Sequence, residues 1–240
     1  MSDAIPISNQ QSFWNSWNAS AREQGVQDVC IRQAEVICGW IDRLSLQRPS
    51  ILDVGCGTGW FCAQLQRYGR VVGTDLSDEV LERAQRRMPE VTFVAGDFMT
   101  LPLEPGRFDV VVSLEVLSHV ADQPSFVGKL AEQLRPGGFL MMATQNRFVL
   151  ERFNTIPPPG PGQLRRWVTK QELTQLLEPS FEVLEGFTVS PKANKGMMRL
   201  VNSYKLNRMI KVFVGDRFVQ FKERLGLGWT LMALAQKRIE

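Results

Sequence analysis

The chain has 240 residues, 28 Lys and Arg against 25 Asp and Glu, and 44% hydrophobic residues, enough to bury one sizeable core and unlike a disordered or fibrous protein. No segment approaches 18 apolar residues and the first twenty hold no run of signal-peptide length, which excludes a membrane span and predicts a cytoplasmic protein. Four cysteines (Cys30, Cys38, Cys56, Cys62) form no C-x-x-C pair and accompany one histidine, so reduced thiols are expected and a metal site is not.

Met1 to about Ser12 is polar and is expected to lack order, while Phe13, Trp14 and Trp17 fall on one helical face. Gln27 to Leu46 suits an amphipathic helix closed by Arg48-Pro49. Strands at 50–55, 70–75, 91–95 and 108–114 then alternate with helices at 59–68 and 77–88, the second opened by Ser77-Asp78-Glu79. A helix over 124–134 is stopped by Arg135-Pro136-Gly137-Gly138, and the fifth strand follows at 139–144. A helix at 169–178 and strands at 181–189 and 229–236 complete seven strands. The expected fold is α/β: a Rossmann-like, mostly parallel seven-stranded sheet with helices on both faces, an N-terminal helical cover and a helical insertion before the last strand.

The glycine run Asp53-Val54-Gly55-Cys56-Gly57-Thr58-Gly59 leaves the first strand for the next helix. Glycine lets the turn be tight and the main chain touch a ligand, and such a loop at a strand's carboxyl end is where an open α/β sheet binds nucleotide-like molecules. The G-x-G-x-G spacing differs from dinucleotide and phosphate loops, and no lysine is present to hold a pyrophosphate. Asp75 ends the second strand about 20 residues on, placed to accept from both ribose hydroxyls. Asp97 ends the third strand and can accept from an adenine amine, with Leu76 and Phe98 offering apolar faces to the purine. Adenine and ribose without phosphate describe S-adenosyl-L-methionine (SAM).

The ordered blocks LDVGCGTG, GTDLS, AGDF, FDVVVSLEVLSHV and LRPGGFL resemble the class I SAM-dependent methyltransferases over roughly residues 48–190. LMMATQNR (140–147) and Trp167 to Leu173 look like the branch that O-methylates quinol precursors in ubiquinone biosynthesis. The resemblance implies SAM as cofactor and S-adenosyl-L-homocysteine (SAH) as product, held by Asp53, Gly55, Cys56, Gly57, Gly59, Asp75, Leu76, Asp97, Phe98 and Leu114. Asp53 is expected to organise the loop. In the family an N-terminal helix often closes over SAM, which draws Trp14 and Trp17 into the site; otherwise they are packing residues.

Two segments interrupt the pattern. Asn154 to Gly162 contains Ile156-Pro157-Pro158-Pro159-Gly160-Pro161, a stiff connection. Lys192 to Gly226 carries nine basic residues to two acidic ones, interleaved with methionine and aromatic side chains. Its readings are a solvated amphipathic helical pair, a lid over an apolar substrate, or contact with an anionic membrane; RNA contact ranks below these. The organisation is thus a cover at 1–47, a SAM-binding core at 48–191, a lid at 192–226 and the last strand at 227–240. Expected substrate-lid residues are Trp14, Trp17, Arg147, Met197, Met198, Tyr204, Met209 and Phe213.

His119, just past the fourth strand, is expected either to take a proton from the methyl acceptor or to serve as a structural hydrogen-bonding residue. Glu115 is the competing base or a ligand of the SAM amine. The function expected is methyl transfer to a small, largely apolar molecule, with oxygen favoured over carbon or nitrogen through the quinol-branch resemblance. An RNA methyltransferase and a non-catalytic SAM-binding partner module are the alternatives.

Overall fold

The computed structural model describes residues 5–22, 25–196 and 217–239. Seven strands form one sheet in the order β3-β2-β1-β4-β5-β7-β6. They are β1 Ser50–Val54, β2 Arg70–Asp75, β3 Thr92–Ala95, β4 Phe108–Leu114, β5 Leu134–Gln145, β6 Phe181–Val189 and β7 Thr230–Lys237. The strands β1 to β5 pair in parallel, and β7 runs antiparallel between β5 and β6. Helices are α1 Ile7–Trp17, continued by a π turn to Arg22, α2 Asp28–Leu44, α3 Trp60–Leu65, α4 Asp78–Arg87, α5 Gln123–Gln133, α6 Arg147–Phe153, α7 Lys170–Leu177 and α8 Arg217–Arg224. This is the expected Rossmann-like sheet.

Both faces of the sheet are covered, which explains why the central strands read as unbroken apolar runs. Leu52, Val111 and Leu140 face one core with Phe126 and Leu130 of α5 and Leu173 of α7. Their neighbours Ile51, Val110, Val112 and Met141 face the other, with Ile37 and Ile41 of α2 and Phe61 of α3. The chain runs outward from β1 through β2 to β3, then returns to lay β4 on the other side of β1. The carboxyl ends of β1 and β4 therefore form a topological switch point, the crevice where open α/β sheets bind ligands.

Helix α6 has no counterpart in the expectation, and two further elements differ from it. Residues 7–12 are not disordered but open α1. Ser12, Ser16 and Ser20 each donate a hydroxyl hydrogen bond to the carbonyl four residues earlier, and Asn15 and Asn18 tie the helix to Asp78 and Ser77 at the start of α4. Long-range contacts thus hold a segment whose composition alone reads as a tail. The strand β5 starts at Leu134, ahead of the Pro-Gly-Gly run, because Leu134 already pairs with Phe108 and a register shift absorbs the glycines.

Among the described residues no helix is long and apolar enough to cross a membrane.

Candidate active site

The loop leaving β1 gives Gly55, Gly57 and Gly59 left-handed φ angles of 76°, 53° and 73°. At Gly55 the requirement is also steric, since a Cβ there would lie 2.2 Å from Cγ2 of Val116. The β1 loop and the turn after β4 touch at this point. Gly59 serves a different surface: a Cβ would meet Met88 and Phe93 at 2.7 and 2.8 Å, behind the loop. It packs the start of α3, while its neighbours Thr58 and Trp60 line the cavity.

Asp75 locks the loop from β2. Its Oδ2 accepts the Gly57 N–H at 2.8 Å and its Oδ1 accepts the Ser77 N–H at 2.8 Å. Burial raises its pKa, and these backbone donors oppose the rise. Asp53, under the loop, is 3% exposed and accepts from the Cys62 thiol at 3.3 Å. Burial pushes its carboxyl up to about 7, with Asp75 adding to the shift and the Cys62 contact opposing it. Burial likewise raises the thiol of Cys56, beside the loop's backbone. Asp97 accepts the Met99 N–H, which shapes the turn after β3, and Phe98 packs edge-on to Phe126.

The exit from β4 carries the second half of the site. Glu115 sits at φ 62°, a conformation non-glycine residues rarely adopt and often hold at functional sites. Its Oε1 accepts from Nε2 of Gln33 on α2 at 2.5 Å and from Oγ1 of Thr230 on β7 at 3.1 Å. The carboxylate therefore ties three elements together above the sheet. A short 3-10 turn, Leu117–His119, follows. The Nδ1 of His119 lies 2.7 Å from the Leu164 carbonyl oxygen. A carbonyl only accepts, so Nδ1 carries the proton and Nε2 presents a lone pair. Burial lowers the His119 pKa and the nearby Arg165 charge lowers it further, against the Leu164 bond, so the ring is neutral at pH 7.

These groups meet in one cavity of about 760 Å³. Asp53, Gly55, Cys56, Gly57, Asp75, Leu76, Asp97, Phe98, Leu114, Glu115 and His119 all line it. Trp14 and Trp17 line it from α1, with Trp14 edge-on to His119 at 4.7 Å between centroids. Arg147 stands elsewhere: at the start of α6 it pairs with Glu172 at 2.6 Å, in a neighbouring groove of about 940 Å³. Glu172 is held there by its capping box with Thr169 at the head of α7. Met197, Met198, Tyr204, Met209 and Phe213 lie outside the described residues. Gln33, Gln145 and Arg165, which no sequence motif marks, reach the cavity from α2, the end of β5 and the proline-rich connection.

The residues present fit SAM. A glycine loop whose Gly55 has room only for backbone lies beside the half-buried Asp75 carboxylate, an acceptor facing the cavity for the ribose hydroxyls. Gln33 and Gln145 also line the cavity, and the Oε1 atom of each is buried without a hydrogen-bond partner. Five acidic residues line the cavity (Asp53, Asp75, Asp97, Glu115 and Asp122) against two basic ones, Arg165 and Lys192, a balance that favours a ligand with net positive charge.

A family model described as a methyltransferase domain matches residues 52–142. A ubiquinone biosynthesis O-methyltransferase of Bradyrhizobium sp. (strain ORS 278) is 32% identical over 187 residues, 71% of this chain and 73% of that protein. A protein of Mycolicibacterium smegmatis described as a "Probable S-adenosylmethionine-dependent methyltransferase" is 35% identical over 141 residues; the match covers 55% of this chain and 52% of that relative, so the chain spans about half its length. The Burkholderia thailandensis 1,6-didemethyltoxoflavin-N1-methyltransferase, solved with bound 1,6-didemethyltoxoflavin and SAH, superposes with a TM-score of 0.62 at 20% identity, covering 95% of this chain and 87% of that one. The chain belongs to the class I SAM-dependent methyltransferase family, and its cofactor is SAM.

Proposed function

We propose that the protein transfers a methyl group from SAM to an oxygen of a small, largely apolar molecule, with His119 as general base. The observation that carries this reading is the fixed tautomer of His119, which leaves the Nε2 lone pair of a neutral imidazole at the wall of the cofactor cavity. Bound SAM supplies an electrophilic methyl on a sulfonium, so the protein's work is positioning and proton removal. Trp14 and Trp17 close the cavity and exclude water. The Leu164 carbonyl fixes the ring, and Arg165 helps keep it unprotonated. A hydroxyl beside Nε2 gives its proton to the imidazole as its oxygen takes the methyl group. An amine attacks through its own lone pair and needs no base until after transfer, so a held base favours a hydroxyl acceptor.

A cavity of about 760 Å³ is of small-ligand size, and both the Bradyrhizobium relative and the Burkholderia structure are named for small-molecule methylation. One names oxygen and the other nitrogen, so the acceptor atom rests on His119 alone. The reading is tested by following SAH formation with matched phenols and anilines. Turnover of the phenols is expected; preference for anilines would overturn the oxygen assignment.

Peripheral membrane contact through 192–226 belongs to the same proposal. Within the described part of that segment, Phe221 on α8 and Leu225 just past its end are each 57% exposed. Cosedimentation with anionic vesicles that is unchanged in F221S/L225S would remove this element.

A further inference from the structure

The proline-rich connection between α6 and α7 brings Arg165 to the cavity, a cation to which the methyl-transfer reading gives no ligand of its own. Arg165 lines the cofactor cavity and also the neighbouring groove, together with Leu150, Ile156 and Trp167. Its guanidinium is built into place. One terminal nitrogen donates to the Pro157 carbonyl at 2.6 Å and the other to Oε1 of Gln163 at 3.0 Å, while Trp167 lies 5.2 Å away beneath it. All these partners are neutral. Among the described residues no carboxylate pairs with Arg165, whereas Arg147, in the same groove, has Glu172. Burial alone shifts the Arg165 pKa, and it shifts it down, as for a cation partly removed from water without a counter-ion. A partly buried guanidinium held by neutral acceptors keeps donors and charge for an anion.

Its position relative to His119 defines that anion. Leu164, the residue before it, orients the His119 ring, and the Arg165 charge acts on that ring. Arg165 and His119 line one cavity, so an anion on Arg165 shares it with His119. We infer that the methyl acceptor is an organic acid, its apolar ring enclosed beside Trp14 and His119 and its carboxylate held by Arg165 at the mouth of the groove. The inference rests on the methyl-transfer reading and narrows it from an apolar molecule to an apolar acid.

The test uses the full chain saturated with SAH and three probes: 3,4-dihydroxybenzoate, its methyl ester and catechol, titrated by calorimetry. A charge-assisted hydrogen bond predicts that wild type binds the acid about 10- to 100-fold more tightly than the ester or catechol. In R165M that preference collapses, and R165K restores part of it, because charge returns without the planar fork. Equal affinity for acid and ester, no binding of any probe at millimolar concentration, or a preference that survives in R165M would each overturn the inference. SAH affinity, measured first for all three proteins, separates the failures. Wild type that does not bind SAH refutes the cofactor reading itself, and SAH binding that is lost only in R165M assigns Arg165 to holding the fold and overturns the inference.

Discussion

Replacing Asp75 by alanine probes the join between cofactor and loop. Each oxygen of its carboxylate accepts one backbone N–H at 2.8 Å, from Gly57 and from Ser77, and the carboxylate faces the cavity as the acceptor for the two ribose hydroxyls. Two charge-assisted hydrogen bonds contribute about 1.5 kcal/mol each at the low end, so Asp75→Ala is expected to weaken SAH by about 3 kcal/mol, roughly 150-fold. The same change leaves the Gly57 and Ser77 N–H groups without their partner, a further stability cost of about 1–3 kcal/mol. Calorimetry with SAH reads the first effect and thermal unfolding the second, and both must appear. Asp75→Asn keeps one carbonyl oxygen and no charge, and is expected to fall between. An Asp75→Ala protein that binds SAH within about threefold of wild type would refute the ribose assignment, because no rearrangement recovers two bonds to a missing carboxylate.

If His119 takes the acceptor's proton, kcat/KM rises with pH through a midpoint below 6.5, since burial depresses its pKa; His119→Ala loses that limb and about 100-fold or more in turnover with SAH affinity retained, whereas equal loss of both marks the residue as structural. Asp53 has a folded-state pKa raised to about 7 from 3.8, so its contribution to stability is fully present below the lower value and is lost as pH rises through the upper one. A cation in the cavity pulls that pKa back down, so SAM binding near pH 7 is expected to release a proton that Asp53→Asn does not. Calorimetry in buffers of differing ionisation heat measures it, and proton uptake would contradict the electrostatics of the site. Gly55→Ala sets a Cβ 2.2 Å from Val116 at φ 76°, and is expected to cost more than about tenfold in SAH affinity. Gly128→Ala, with open space at a helical position in α5, should instead be neutral or stabilising by about 0.5–1 kcal/mol; equal effects would show that the β1 loop has slack.

The sheet and the cofactor cavity were legible because their signals are local. Apolar runs buried on both faces fixed the strands, and glycine or aspartate at strand ends marked the crevice. Where the expectation failed, a distant partner decided. Leu134 joins β5 because Phe108 lies beside it, and α1 is held by Ser77 and Asp78, some sixty residues on in the sequence. Arg147 sits in a motif-like stretch but is drawn into the groove by Glu172 of α7. Gln33, Gln145 and Arg165 belong to no motif; a helix, a strand end and a proline-rich connection bring them to one wall, and nothing in their neighbours in sequence announces it.

The most direct test follows the labelled methyl group. The protein is incubated with methyl-radiolabelled SAM and an extract of its source organism, which is then separated into small-molecule, RNA and protein fractions. The account predicts label among the small molecules, lost from that fraction in Asp75→Ala. Label in the RNA or protein fraction, with none in the small-molecule fraction, would contradict it.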